Sequence, residues 1–193
     1  MKKEKSPSKI NNNAHLTKET KKKSPLREAI ETIVWSLVIA LLIIYFVVQS
    51  FYIPSSSMEP TLVPGERVLV AKFYYRITEP QRGDIIVFRY PIDNRKNLIK
   101  RVIGLPGEKI KISNGMIYVN GEPLQGDKFS RTYYDYGFYG EGEKTVPEDS
   151  YFVLGDNSLN SDDSRFWGYV PRKNILGRAF LIYWPLTHIA ILK

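Results

Sequence analysis

The sequence predicts an all-β domain, mostly antiparallel and folded as a partly closed, barrel-like sheet, behind one N-terminal transmembrane helix. Three observations predict it. A single uncharged apolar run occupies Thr32 to Val48. It is followed by many short β-branched and aromatic segments separated by turn residues. Two Asn-Gly pairs, at Asn114-Gly115 and Asn120-Gly121, supply the residues that two-residue hairpin turns favour.

Residues 1–26 are rich in Lys, Asn, Ser and Thr, with almost no large apolar side chains. Such a stretch buries too little surface to offset the entropy of ordering and is expected to be a disordered basic tail. The transmembrane helix is expected over 27–50, since the apolar run approaches the ~17 to 25 residues that a span requires and has no polar face. A cleaved leader has a shorter apolar core and a small-x-small site, whereas here Tyr-Phe-Val-Val-Gln-Ser-Phe-Tyr follows. The cluster Lys18, Lys21, Lys22, Lys23 and Arg27 places the N-terminus in the cytoplasm and residues 51–193 on the other side. Trp35 at one end of the run, and Tyr45, Phe51 and Tyr52 at the other, suit the two interfaces.

Strands are expected at Arg67-Val-Leu-Val-Ala-Lys-Phe-Tyr-Tyr, Asp84-Ile-Ile-Val-Phe-Arg-Tyr, Leu98-Ile-Lys-Arg-Val-Ile-Gly, Lys109-Ile-Lys-Ile and Met116-Ile-Tyr-Val, then at Ser150-Tyr-Phe-Val-Leu, Gly177-Arg-Ala-Phe-Leu-Ile-Tyr-Trp and Ile189-Ala-Ile-Leu. Lys109-Ile-Lys-Ile alternates polar with apolar, as a half-buried strand does. Residues 122–148, dense in Gly, Tyr and charge, form an irregular excursion from the sheet.

Composition excludes several kinds of chemistry. There is no cysteine among the 193 residues, which removes disulfides, thiolate nucleophiles and thiolate metal sites together. The net charge of +8 sits largely in the first two dozen or so residues rather than along a groove, so no nucleic-acid partner is expected. A calcium loop at Gly155–Gly168 fails, because the EF-hand pattern wants glycine where Ser161 stands and a carboxylate where Trp167 stands.

What remains is serine chemistry. Pro54-Ser-Ser-Ser-Met-Glu-Pro60 is held rigid and non-helical by its prolines, although three serines by themselves read more readily as a polar linker. A serine hydroxyl needs a base. Of the two histidines, His15 falls in the tail and His188 near the C-terminus, which disfavours a Ser-His-Asp triad. A lysine can serve only if desolvation lowers its pKa from ~10.4. Lys100 stands among Leu98, Ile99, Val102 and Ile103; strand alternation puts it with Leu98 and Val102, and Arg101 with Ile99. A strand lysine that snorkels to water has the same local pattern. In the loop, Ser161 could bond an amine, and Asp163 could pair with Arg165.

Taken in order, Ile53-Pro-Ser-Ser-Ser-Met-Glu-Pro-Thr-Leu62, Arg82-Gly83-Asp84-Ile-Ile-Val-Phe, Ile99-Lys100-Arg101-Val-Ile-Gly-Leu-Pro-Gly and Gly155-Asp-Asn-Ser-Leu-Asn-Ser-Asp-Asp-Ser-Arg-Phe-Trp-Gly168 resemble the motif boxes of bacterial type I signal peptidases, in their compact single-span form. The resemblance implies Ser57 as nucleophile and Lys100 as general base. It implies Ser55 beside the Ser57 N–H at the oxyanion, Ser161 orienting the lysine, Asp163 and Arg165 as a supporting pair, and Phe51, Ile53, Leu62 and Ile99 lining pockets for small side chains. Ser56 departs from the glycine of many members. The implied activity removes signal peptides from secretory precursors after small-x-small sites at the lipid bilayer, with no cofactor and no metal. From the residues alone, another Ser/Lys hydrolase and a tethered β module that binds a partner remain open.

Overall fold

A computed structural model of the chain describes residues 24–192, without the side chains of residues 43–46. Residues 1–23 and 193 lie outside it, and with them most of the expected basic tail and His15.

Helix α1, Pro25–Val47, starts where local chemistry favours a start. The Ser24 hydroxyl accepts from the Arg27 N–H at 3.3 Å, and Pro25 has no N–H to satisfy. Glu28 lies in the first turn, and Arg27 pairs with Glu31 at 3.1 Å. Trp35, Leu37, Ile39 and Leu41 are exposed. Among the described residues no helix is long and apolar enough to cross a membrane; the apolar run includes residues 43–46, whose side chains lie outside the described ones. The helix expected over 27–50 ends at Val47, because Val48–Tyr52 form strand β1 and pair antiparallel with β2, Arg67–Ala71, from Val48 opposite Ala71 to Tyr52 opposite Arg67.

Beyond β2 come a one-turn helix α2, Tyr74–Ile77, then β3, Ile85–Arg89, and β4, Asn97–Gly104. The next strands are β5, Lys109–Ser113, β6, Met116–Val119, β7, Glu122–Pro123, and β8, Glu143–Thr145. The chain finishes with β9, Ser150–Leu154, the short helix α3, Ser164–Trp167, β10, Val170–Pro171, β11, Ile175–Trp184, and β12, Ala190–Ile191. The larger sheet runs β1-β2-β11-β3-β4-β9-β10, with β12 added to β11; the smaller runs β7-β6-β5-β8. The pairings among the described strands are antiparallel. The path of the larger sheet is open rather than a closed barrel, with β1 and β10 at its two ends. β10 ends in Pro171, which has no N–H with which to carry a ladder further.

The hairpin turns fall at the two Asn-Gly pairs. Asn114 and Gly115, and Asn120 and Gly121, all have positive φ (51°, 78°, 53° and 86°), the geometry that two-residue hairpins select. On β5, Ile110 and Ile112 are buried while Lys109 and Lys111 are exposed. The stretch 122–148 supplies β7 and β8 to this smaller sheet and buries Tyr133 in its core, beside Ile110, Ile117 and Val146.

β4 is the strand on which the core turns. It pairs with β3 from Asn97 to Arg101, and with β9 only from Arg101 onward. Leu98 and Val102 pack with Ile86, Phe88 and Val153, whereas Ile99 packs with Ile53, Met58, Leu62 and Val87. Ile103 reaches a third cluster with Ile110 and Phe152. With apolar layers on both sides, a charged residue in the middle of β4 is largely removed from water: Lys100 and Arg101 are both buried.

Where β11 crosses from β3 to β2, the register shifts between Ile175 and Gly177. A Cβ on Gly177 would meet the Ala71 carbonyl oxygen at 2.5 Å, so only glycine lets the strands approach this closely. Gly177→Ala is expected to lower stability by about 1–3 kcal/mol through forced backbone displacement, read from the urea midpoint with an unchanged m-value.

Candidate active site

The three adjacent serines are separated by what surrounds each of them. Residues 56–58 form a single 3-10 turn pinned by Met58, which is fully buried, and the Met58 carbonyl accepts from Leu62 N–H. This turn drives Ser57 inward, to 7% exposure, and leaves Ser55 exposed. The Lys100 Nζ donates to Ser57 Oγ at 2.5 Å, with Lys100 itself 3% exposed. Ser55 Oγ lies 3.3 Å from Ser57 Oγ. Ser56 turns elsewhere: its hydroxyl accepts from Asn160 Nδ2 at 2.6 Å and its carbonyl from Asn157 Nδ2 at 3.2 Å.

Burial is the main influence on the Lys100 amine, since an ammonium loses hydration it cannot recover from apolar neighbours. It pulls the pKa from 10.5 down to about 8. Asp163, Asp162 and Asp156 oppose the fall, and Arg165 adds to it. An amine near neutrality and in contact with a hydroxyl can take its proton, which an ordinary lysine at pH 7 cannot.

The loop 155–168 backs this pair. Asp163 and Arg165, both fully buried, form a bidentate pair at 2.8 and 2.9 Å. Asp163 also accepts from Gly155 N–H at 3.0 Å, and Arg165 donates to the hydroxyl and carbonyl of Ser158 and to the carbonyls of Ser161 and Tyr134. Every donor of a buried guanidinium must be met, and the curled loop is what meets them. Ser164 Oγ accepts from Val153 N–H at 2.9 Å, tying the loop to β9. The loop then reaches the serine turn through Asn157 N–H, which donates to the Ser57 carbonyl at 3.1 Å.

Ser161 is buried beside this contact, but its hydroxyl has no hydrogen-bond partner among the described residues. A Cβ on Gly155 would collide with both Ser161 Oγ and the Ser57 carbonyl, so the loop can close on the serine turn only with glycine there. Of the four residues expected in pockets, Ile53 and Leu62 are buried and Phe51 and Ile99 are half-buried, all in one cluster.

Sequence reasoning missed the second buried ion pair. Arg101, 2% exposed, donates to Asp156 at 2.8 and 2.6 Å and to the Gly83 carbonyl at 2.9 Å. Thr61 donates to the same carboxylate. Two consecutive cations inside an apolar strand were the available signal, because one face cannot hold both. Asp84, in the Arg82-Gly83-Asp84 segment, accepts from Tyr75 OH at 2.9 Å and pairs with Arg178 at 2.9 Å, joining β3 to α2 and β11. His188, far along the chain, lies 3.1 Å from Glu66. Among the described residues no cluster of His, Cys, Asp and Glu is arranged to hold a metal ion.

A family model described as "Signal peptidase, peptidase S26" matches residues 26–184. The Signal peptidase I of Leptolyngbya laminosa is 46% identical over 179 residues, covering 89% of this chain and 86% of that protein. The Probable signal peptidase I-2 of Synechocystis is 43% identical over 191 residues, covering 92% and 85%. The Signal peptidase I P of Bacillus subtilis subsp. natto is 36% identical over 179 residues, covering 89% and 96%. With the family model spanning most of its length and relatives this close, the chain belongs to the signal peptidase family of S26 serine peptidases.

Proposed function

We propose that the chain is a membrane-anchored endopeptidase that cuts N-terminal signal peptides from exported precursors, with Ser57 as nucleophile and neutral Lys100 as general base. The observation that carries the reading is the 2.5 Å contact between Lys100 Nζ and Ser57 Oγ, both residues being buried. Ser57 Oγ attacks the scissile carbonyl as Lys100 takes its proton. The oxyanion is met by the Ser57 N–H and the Ser55 hydroxyl. The Lys100 ammonium then returns the proton to the departing amine, leaving an acyl-enzyme. Water, deprotonated by the same amine, hydrolyses that ester and regenerates Ser57. Ser161, buried beside the pair with its hydroxyl uncommitted, orients the amine during these transfers.

The substrate is read as an added strand. β4 is paired on its β9 side only from Arg101 onward, which leaves a backbone edge at Leu98–Lys100 beside the reacting amine. Phe51 and Ile99, half-buried at the margin of a core that also holds Ile53 and Leu62, form the shallow walls that admit small side chains before the cut. The apolar run of α1, with Trp35, Leu37, Ile39 and Leu41 exposed, anchors the chain in the bilayer, and the lysine-rich N-terminus stays in the cytoplasm. A catalytic domain on the far side then meets precursors as they emerge.

Purified protein incubated with a precursor bearing an Ala-x-Ala site tests the assignment. Ser57→Ala and Lys100→Ala are each expected to reduce turnover by at least about a thousandfold, whereas Ser56→Ala retains most activity; wild-type rates from either of the first two would sink the reading. With the Lys100 pKa near 8, kcat/KM should rise about tenfold per pH unit up to pH 8 and level off above it, and Lys100→Arg should be inactive throughout. A profile flat from pH 6 to 9 would exclude a lysine base. The same shift bears on stability. The unfolded lysine holds its proton up to 10.5 while the folded one releases it near 8, so folding carries its full penalty below pH 8 and loses it as pH rises from 8 to 10.5. Lys100→Met is therefore expected to be inactive yet more stable at pH 7, by at most about 3 kcal/mol, in denaturant titration.

A further inference from the structure

Next to the serine turn lies a cavity that no step above uses. Its walls include Glu59, Pro60, Arg131, Tyr134, Asn157 and Leu159. It shares no residue with the cluster that holds Phe51, Ile53, Leu62 and Ile99. Two of its residues join it to Ser57: Glu59 follows two positions later, and Asn157 N–H holds the Ser57 carbonyl at 3.1 Å. Two extended residues of a bound peptide cover about 7 Å, so a chain leaving Ser57 on this side enters the cavity at once.

The charges in the cavity are ordered. Arg131, with its side chain 24% exposed, is fixed by bonds to the Lys128 carbonyl and Thr61 Oγ1, each at 2.9 Å. The nearest carboxylate, Asp156, is only 3.7 Å away but is already engaged at 2.8 and 2.6 Å by Arg101. Two guanidinium groups against one buried carboxylate leave a positive charge in excess at this wall. Glu59 places a negative charge at the end next to Ser57. An acidic second residue after the cut presents the complement to the charge of Arg131, and the amine that cleavage releases presents the complement to that of Glu59.

We infer that this cavity is the subsite for the first two residues after the cut, and that Arg131 selects an acidic side chain at the second of them. The inference rests on the reading that cleavage occurs at Ser57. Arg131 comes from the 122–148 stretch, so that insertion carries a specificity element as well as completing the smaller sheet.

Peptides identical up to the cut, with Asp, Asn or Lys at the second residue after it, test this with the full chain in detergent. Wild type is expected to rank them Asp, Asn, Lys in kcat/KM, with Asp over Lys by about tenfold and the ratio shrinking at high salt. Arg131→Glu should reverse the order, and Arg131→Lys should keep it, which separates lost charge from lost folding. An Asp-to-Lys ratio near one in wild type would overturn the inference. So would an unchanged ratio in Arg131→Glu that melts like wild type, or an equal ratio when the same charges are moved to the sixth residue after the cut. In each of those cases Ser57-dependent cleavage persists, so the failure belongs to the subsite alone. If Ser57→Ala cuts the peptides at the wild-type rate, the nucleophile assignment and this inference fall together.

Discussion

The site depends on the desolvation of one amine. Lys100 stands in the middle of β4, with apolar layers on both sides of the strand, and that placement rather than any single neighbour brings its pKa down to about 8. Three aspartates work against the shift, so the amine would drift back toward an ordinary lysine if the core let water in. The close packing of Met58, Leu62 and Ile99 is therefore part of the chemistry as well as of the stability.

Around this contact the chain uses buried charge as scaffold. Asp163–Arg165 curls the loop after β9, and Arg101–Asp156 ties β4 to that same loop. Isolated buried pairs contribute little net stability. Here they satisfy many backbone and hydroxyl groups at once, including those of Ser158, Ser161, Tyr134, Gly155 and Gly83, which gives the loop one conformation. Asn157 passes that rigidity to the Ser57 carbonyl. The serine turn is thus held from inside by Met58 and from outside by the loop.

Much of this was legible in the chain. The hairpin turns at Asn114-Gly115 and Asn120-Gly121 and the alternation of Lys109–Ile112 are local properties, because turn geometry and strand period are set by neighbours in sequence. The Asp163–Arg165 contact was legible for the same reason, with two residues of separation. Lys100 could be nominated from its apolar company, yet a snorkelling lysine has the same company. The Arg101–Asp156 pair was not legible, since its members are 55 positions apart and meet only when β4 and β9 pair. Nor was the length of the helix: an apolar run does not say where a helix stops, and the stop at Val47 comes from the partner strand β2.

By itself the sequence determined the chemistry on offer: hydroxyls and amines without thiols, one apolar run, and a succession of short strands closed by glycine turns. Tertiary structure decided which of three adjacent serines turns inward and which of many lysines loses its water. Those choices belong to the tertiary structure for a physical reason. Burial and a 2.5 Å contact across 43 residues arise from packing, and packing sums the preferences of segments that hold no information about one another until they meet.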